Sequence, residues 1–145
     1  MKNRLSPRLA AIVDALPLHN DIRVLEIGCG TGAAAREIAK RISNGHILAI
    51  DRSASAIQQA TAISKEEIKS GTLIFKQIAV ENFKLQETEL PFDIAVAIRV
   101  GALDGRHPEI EEQALANIAK ALTKNGKLFI DGGHPLKEIS LEKYK

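Results

Sequence analysis

A chain of 145 residues and 15.7 kDa fits one ordinary domain, so residues 1–145 are expected to form a single folded unit with no room for a second. Apolar residues at 45% and charged residues at 26% support a sizeable core and exclude the composition of disorder. Lys and Arg number 20 against 18 acids, and only four Phe, one Tyr and no Trp are available for base stacking, so nucleic acid is disfavoured as a partner.

Ser6 before Pro7 is a cap followed by a first-turn proline, and Leu9, Ile12, Val13 and Leu16 repeat at helical spacing as far as Pro17. The run from Ile22 to Ile27 is short, β-branched and stopped by glycine, as a buried strand should be. The loop Gly28-Cys29-Gly30-Thr31-Gly32 then leads into a helical stripe of Ala35, Ile38, Ala39 and Ile42, closed at Gly45. His46 to Ile50 is a second strand ending at Asp51. Ser53 to Ser70 reads as one helix with Ala56, Ile57, Ala60 and Ile63 inward and Gly71 at its end. Thr72 to Ile78 makes a third strand, Phe92 to Ile98 a fourth, and Pro108 to Leu122 a helix. Lys124-Asn125-Gly126 turns the chain into a fifth strand, Lys127 to Ile130, ahead of Asp131-Gly132-Gly133 and a polar tail.

Strands alternating with helices imply an α/β fold, a mainly parallel, doubly wound sheet of about five strands. Ligands on such sheets sit beyond the carboxyl ends of the strands, which directs attention to residues 28–32, 51–53, 79–82, 99–107 and 131–134. A glycine loop between a first strand and a helix lets backbone approach a ligand and aims N–H groups at its anionic part, and Gly28, Gly30 and Gly32 have that placement. A carboxylate about 20 residues on, ending the second strand, can accept ribose hydroxyls, and Asp51 is there. Together they describe a nucleoside-cofactor site. The glycines also satisfy G-x-G-x-x-G/A, so the pattern alone leaves a dinucleotide open.

The segment VLEIGCGTG, with Glu26 two residues before the first glycine, resembles the first motif of class I S-adenosylmethionine-dependent methyltransferases. The resemblance continues through HILAIDRS, FDIAVAI and KNGKLFIDGG, nearly the whole chain. It implies a Rossmann-like methyltransferase fold, S-adenosylmethionine as cofactor, and cofactor contacts from Glu26, Gly28, Cys29, Gly30, Gly32, Asp51, Arg52, Val80 and Glu81. The third cofactor segment reads Ile78-Ala79-Val80-Glu81, with Ala79 where the family often has the Asp that meets the adenine amino group; backbone at Val80 or the displaced Glu81 must replace it. The resemblance implies a small-molecule methyl acceptor, met by the loop from Arg99 to His107. There His107 is the candidate catalytic base, and Arg99 and Arg106 the candidate partners of a carboxylate or phosphate. The bland alternative is a helix-start loop with an Asp104-Gly105 turn.

Such sheets usually continue with sixth and seventh strands as an antiparallel hairpin, and this chain is expected to lack both. The fifth strand should then be an exposed edge, covered by the tail from Pro135 or by a homodimer. A cofactor-binding module without independent activity and a nicotinamide oxidoreductase remain alternatives. One Cys, no metal-type His or Cys spacing, no signal-like start and no run of about 18 apolar residues point to a cytoplasmic protein with no metal and no membrane span. Cys29 reads as a small packing residue, and Arg36, Lys40 and Arg41 as a solvated helix face.

Overall fold

The computed structural model describes residues 5–103 and 105–145. Ser6 caps α1 (Pro7–Ala15), its hydroxyl accepting from the Leu9 amide at 3.2 Å, and Ile12 and Val13 are buried beneath it. β1 (Arg23–Ile27), α2 (Ala33–Arg41), β2 (His46–Asp51), α3 (Ala54–Ile63), α4 (Lys65–Lys69), β3 (Leu73–Gln77) and β4 (Phe92–Ala97) follow. After them come α5 (Pro108–Ala121), β5 (Leu122–Asp131) and β6 (Leu136–Ile139). The six strands lie in the order β3-β2-β1-β4-β5-β6. All neighbouring pairs are parallel except β5 with β6.

Successive strand residues point to opposite faces, which splits the core in two. Leu25, Ile27, Ala95 and Ala97 pack with Leu115 and Ile118 of α5, whereas Val24, Ile94 and Val96 pack with Val13 of α1 and Ile38 of α2. The alanines of β4 let α5 come close. Ile38 and Ile118 are completely buried, and each is worth roughly 1.5–3 kcal/mol relative to exposure.

Four details differ from the expectation. The single helix from Ser53 to Ser70 is broken at Ser64, whose backbone (φ −106°, ψ 29°) leaves the helical region. Ser64 is fully buried and its hydroxyl accepts from Arg36 Nη1 at 3.0 Å; just before this break Ile63, the last residue of α3, is left 44% exposed rather than inward. Arg36 is accordingly buried, not solvated, and also donates to the Thr31 carbonyl at 2.7 Å. β5 begins directly after α5, because Lys124-Asn125-Gly126 forms a bulge inside the strand: Phe92 pairs with Leu122 and Ile94 with Lys127.

The largest correction is at the end of the sheet. A sixth strand is present, antiparallel, with Phe129 opposite Glu138 and Ile130 opposite Lys137, so the tail covers β5 and β5 is not an edge. The short polar sequence Leu136-Lys137-Glu138-Ile139 hid this strand. Gly133 hid the turn: a Cβ there would meet the Leu136 carbonyl oxygen at 2.0 Å, so only glycine permits the chain to double back. The reason for pairing two copies along β5 goes with this correction.

Candidate active site

The carboxyl ends of β1, β2, β3 and β4 open onto a cavity of about 250 Å³ lined by Gly28, Asp51, Arg52, Ile78–Glu81, Arg99–Ala102, Arg106 and His107. Ile110, from the first turn of α5, completes the wall.

The glycines divide the work between them. Gly28 (φ +70°) must be small because a Cβ would stand 2.7 Å from Val100 Cγ2, so the segment after β4 packs directly on the glycine loop. Gly32 is glycine for packing as well, since its Cβ would meet Phe75 Cζ at 2.8 Å. Gly30 is left-handed like the other two (φ +56°) but differs in its surroundings, since nothing lies within 4 Å of where its Cβ would be. It is the glycine at which a ligand can approach backbone.

Asp51 fastens this loop to the end of β2. Its Oδ2 accepts from the Gly30 amide at 2.8 Å and its Oδ1 from the Ser53 amide at 2.9 Å, while the Cys29 amide donates to the Ile50 carbonyl at 3.0 Å. An ionised carboxylate has about four acceptor positions, so both oxygens keep capacity for further donors.

Glu26 does not line the cavity. It is 2% exposed beneath the loop, and among the described residues its Oε1 has no hydrogen-bond partner. Burial pushes its carboxyl up to about 8, the Asp51 charge adding to the shift and the Arg36 charge opposing it. Cys29 is buried too, and burial, helped by Glu26 and Asp51, raises its thiol well above the ordinary value, so it is an inert packing group.

After β3, Val80–Asn82 forms a short 3₁₀ turn. Glu81 lines the cavity and is not simply solvated: its Oε2 accepts from Arg52 Nη2 at 2.6 Å. Sequence reasoning missed Asn117, which is 4% exposed and donates to the carbonyls of Val80 at 3.1 Å and Glu81 at 2.8 Å. A polar residue set among Ala114, Leu115, Ile118 and Ala121 on the buried stripe of α5 was the available signal.

On the other side, Arg99, Arg106 and His107 are brought together at the cavity. Arg106 Nη2 donates to the Arg99 carbonyl at 2.8 Å and the His107 amide to the Gly101 carbonyl at 3.0 Å. The His107 ring, 54% exposed, has Nδ1 at 3.4 Å from Glu109 Oε1. Arg99 has φ +56°, the one non-glycine residue with positive φ among those described. Asp104 lies outside the described residues. Asp131, inside the segment 131–134 singled out from the sequence but given no role there, ends β5, and its Oδ1 accepts from the Arg99 amide at 2.9 Å.

Residues 18–142 match the family model of a methyltransferase domain. The chain belongs to the class I methyltransferase family. It is 31% identical over 122 residues to O-methyltransferase rstn1 of Aspergillus nomiae, covering 81% of this chain and 51% of that one. Against the malonyl-[acyl-carrier protein] O-methyltransferase of Bacillus anthracis it is 32% identical over 79 residues, 54% of this chain and 27% of that one. Phosphoethanolamine N-methyltransferase 1 of Haemonchus contortus, solved with phosphoethanolamine and S-adenosylhomocysteine, shares the fold with a TM-score of 0.69 at 17% identity, over 88% of this chain and 26% of that one. The chain thus spans between about a quarter and about half of the length of these relatives. Among the described residues no helix is long and apolar enough to cross a membrane, and no cluster of His, Cys, Asp and Glu is placed to hold a metal.

Proposed function

We propose that this methyltransferase domain binds S-adenosylmethionine and transfers its methyl group to a small acceptor bearing a carboxylate or phosphate. The observation that carries the reading is Gly30, left-handed, open in front, and bonded through its amide to Asp51 at 2.8 Å. The residues present fit that cofactor. Asp51 retains acceptor capacity for ribose hydroxyls, and the unpartnered Oε1 of Glu26 leaves a buried acceptor under the loop for a donor group of the ligand. With Glu81 engaged by Arg52, the adenine side falls to backbone at Val80, held in place by Asn117.

When bound, the cofactor supplies an electrophilic methyl on a sulfonium. The chain's own contribution is alignment and, for an acceptor that must lose a proton, a base. His107 is the base in this reading, and Arg99 and Arg106 hold the acceptor's anionic group. The names of two relatives support that acceptor class: a malonyl thioester carries a carboxylate and phosphoethanolamine a phosphate. Calorimetry with S-adenosylmethionine, S-adenosylhomocysteine and NAD tests the assignment. Binding of the first two is expected, and tight NAD binding without them would overturn it.

A second reading, a cofactor module that needs another part to enclose the acceptor, is favoured by the exposure of the acceptor side, where the His107 side chain is 54% exposed. Cofactor binding without methyl transfer to any of a panel of small carboxylates and phosphates would select it. A cytoplasmic location belongs to the same proposal, in keeping with one unpaired thiol at Cys29. A homodimer formed by pairing sheet edges would use β3 or β6, the outer strands. A two-fold pairing of β6 with itself sets Lys137 against Lys137 or Glu138 against Glu138, which argues against that edge.

A further inference from the structure

The segment that follows β4 is held by contacts remote in sequence. Arg99 sits at φ +56°, a conformation unfavourable for a residue with a Cβ that persists only where surroundings enforce it. Its amide donates to Asp131 Oδ1 at 2.9 Å, its carbonyl accepts from Arg106 Nη2 at 2.8 Å, and the next residue, Val100, lies over Gly28. Asp131 Oδ2 is taken by Arg8 of α1, so one carboxylate, only 11% exposed, joins the opening helix, the end of β5 and the start of the acceptor loop.

We infer that Asp131 is a positioning residue: through its bond to the Arg99 amide it holds the left-handed turn that seats Val100 on the glycine loop and presents Arg99 to the acceptor pocket, while Arg8 fixes the carboxylate from α1. The inference rests on the reading of residues 99–107 as the acceptor wall. Its physical logic is that of a clamp. An ionised carboxylate bonded to a backbone amide is a strong acceptor, and it satisfies the N–H of a residue that leaves the sheet at that point. Without it the turn relaxes toward negative φ, and the direction of every later residue of the loop changes. α1 and the loop are therefore coupled: one oxygen of Asp131 serves each.

The first test needs no ligand. Amide hydrogen exchange at Arg99, followed by NMR, is expected to accelerate about ten-fold or more in Asp131→Ala. It should stay within about two-fold of the parent in Asp131→Asn, whose Oδ1 still accepts. Arg8→Ala, which loosens the carboxylate but leaves its Oδ1 in place to accept, should accelerate exchange at Arg99 by less than Asp131→Ala does, about two- to three-fold. Should Asp131→Ala fail to fold, Asp131→Glu takes its place, because it keeps the charge for Arg8 and displaces the acceptor by one methylene; the same acceleration is expected. Unchanged protection of Arg99 in these variants, or an Asn variant as loose as the Ala variant, overturns the clamp even if the cofactor reading stands. The second test uses S-adenosylhomocysteine, whose binding by the parent protein checks the cofactor reading separately. Given that binding, affinity is expected to fall about 3 to 10-fold in Asp131→Ala and to recover in Asp131→Asn. A loosened Arg99 amide with unchanged affinity would overturn the positioning role.

Discussion

The two sides of the cleft are built by different means. The cofactor side, residues 28–32 with 51 and 80–81, is built at the ends of neighbouring strands from backbone amides and carbonyls, in which Asp51 ties Gly30 to Ser53 and Asn117 of α5 holds residues 80–81. The acceptor side, residues 99–107, is held from afar, by Asp131 on β5 and, through it, by Arg8 on α1. Local pattern thus fixes where a nucleoside would lie, whereas tertiary contacts fix what stands opposite it. A fold that keeps the first constant can change the second without disturbing the sheet.

The largest effect that separates the sides is at His107. With an identified acceptor, His107→Ala is expected to lower turnover by about 10² to 10⁴-fold, the usual contribution of a general base, and to leave S-adenosylhomocysteine affinity within about two-fold. Full activity in this variant would make the loop structural and restore its reading as a helix start.

The buried charge beneath the cofactor side gives the next effect, in stability rather than turnover. Glu26 is raised to about 8 in the folded chain from an ordinary value of 4.5. The unfolded chain therefore gives up this proton first as pH rises. The contribution is fully present below pH 4.5 and is lost as pH climbs through about 8. Glu26→Gln is expected to flatten denaturant-derived stability across that window, and above it to be the more stable protein by up to several kcal/mol. Parallel pH profiles for the two proteins would show that Glu26 ionises without penalty.

This division explains what was legible in the sequence. β1 to β4, the glycine loop and Asp51 were readable because each rests on a local pattern: β-branched runs, glycines at a strand end, an acid at the next strand end. The bulge in β5, the break at Ser64 and β6 were not, because each is decided by a partner elsewhere. Ser64 leaves the helix where Arg36 reaches it, and Leu136–Ile139 becomes a strand only because β5 offers an unpaired edge. Arg36 reads as part of a solvated face and Asn117 carries no local signal beyond its place on an apolar stripe; the distant groups that engage them, the Ser64 hydroxyl and the carbonyls of Val80 and Glu81, come from other segments.

Within the cofactor side, Gly30→Val is expected to cost at least about 100-fold in S-adenosylhomocysteine affinity, since it adds a branched Cβ into open space at a left-handed position. Asp51→Ala should cost about 10 to 100-fold, the loss of charge-assisted bonds worth roughly 1.5–3 kcal/mol. If Asp51→Ala were the worse of the two, the loop would owe its shape to Asp51 more than to its glycines.

The smallest effect concerns the pair that joins the end of β2 to the turn after β3. Arg52 is 62% exposed and Glu81 19% exposed, so their 2.6 Å contact is mostly a surface ion pair, worth about 0–1 kcal/mol and screened by salt. Arg52→Ala is expected to change stability by less than about 1 kcal/mol and S-adenosylhomocysteine affinity by no more than about five-fold. Arg52→Ala, Glu81→Ala and the double variant, measured in low and high salt, show what Glu81 does. If Glu81 only holds Arg52, the two single variants and the double variant lose the same small amount, and that loss shrinks in high salt. If Glu81 also meets the cofactor, Glu81→Ala costs more than Arg52→Ala, and the excess persists in the Arg52→Ala background, since it belongs to the ligand and not to the pair.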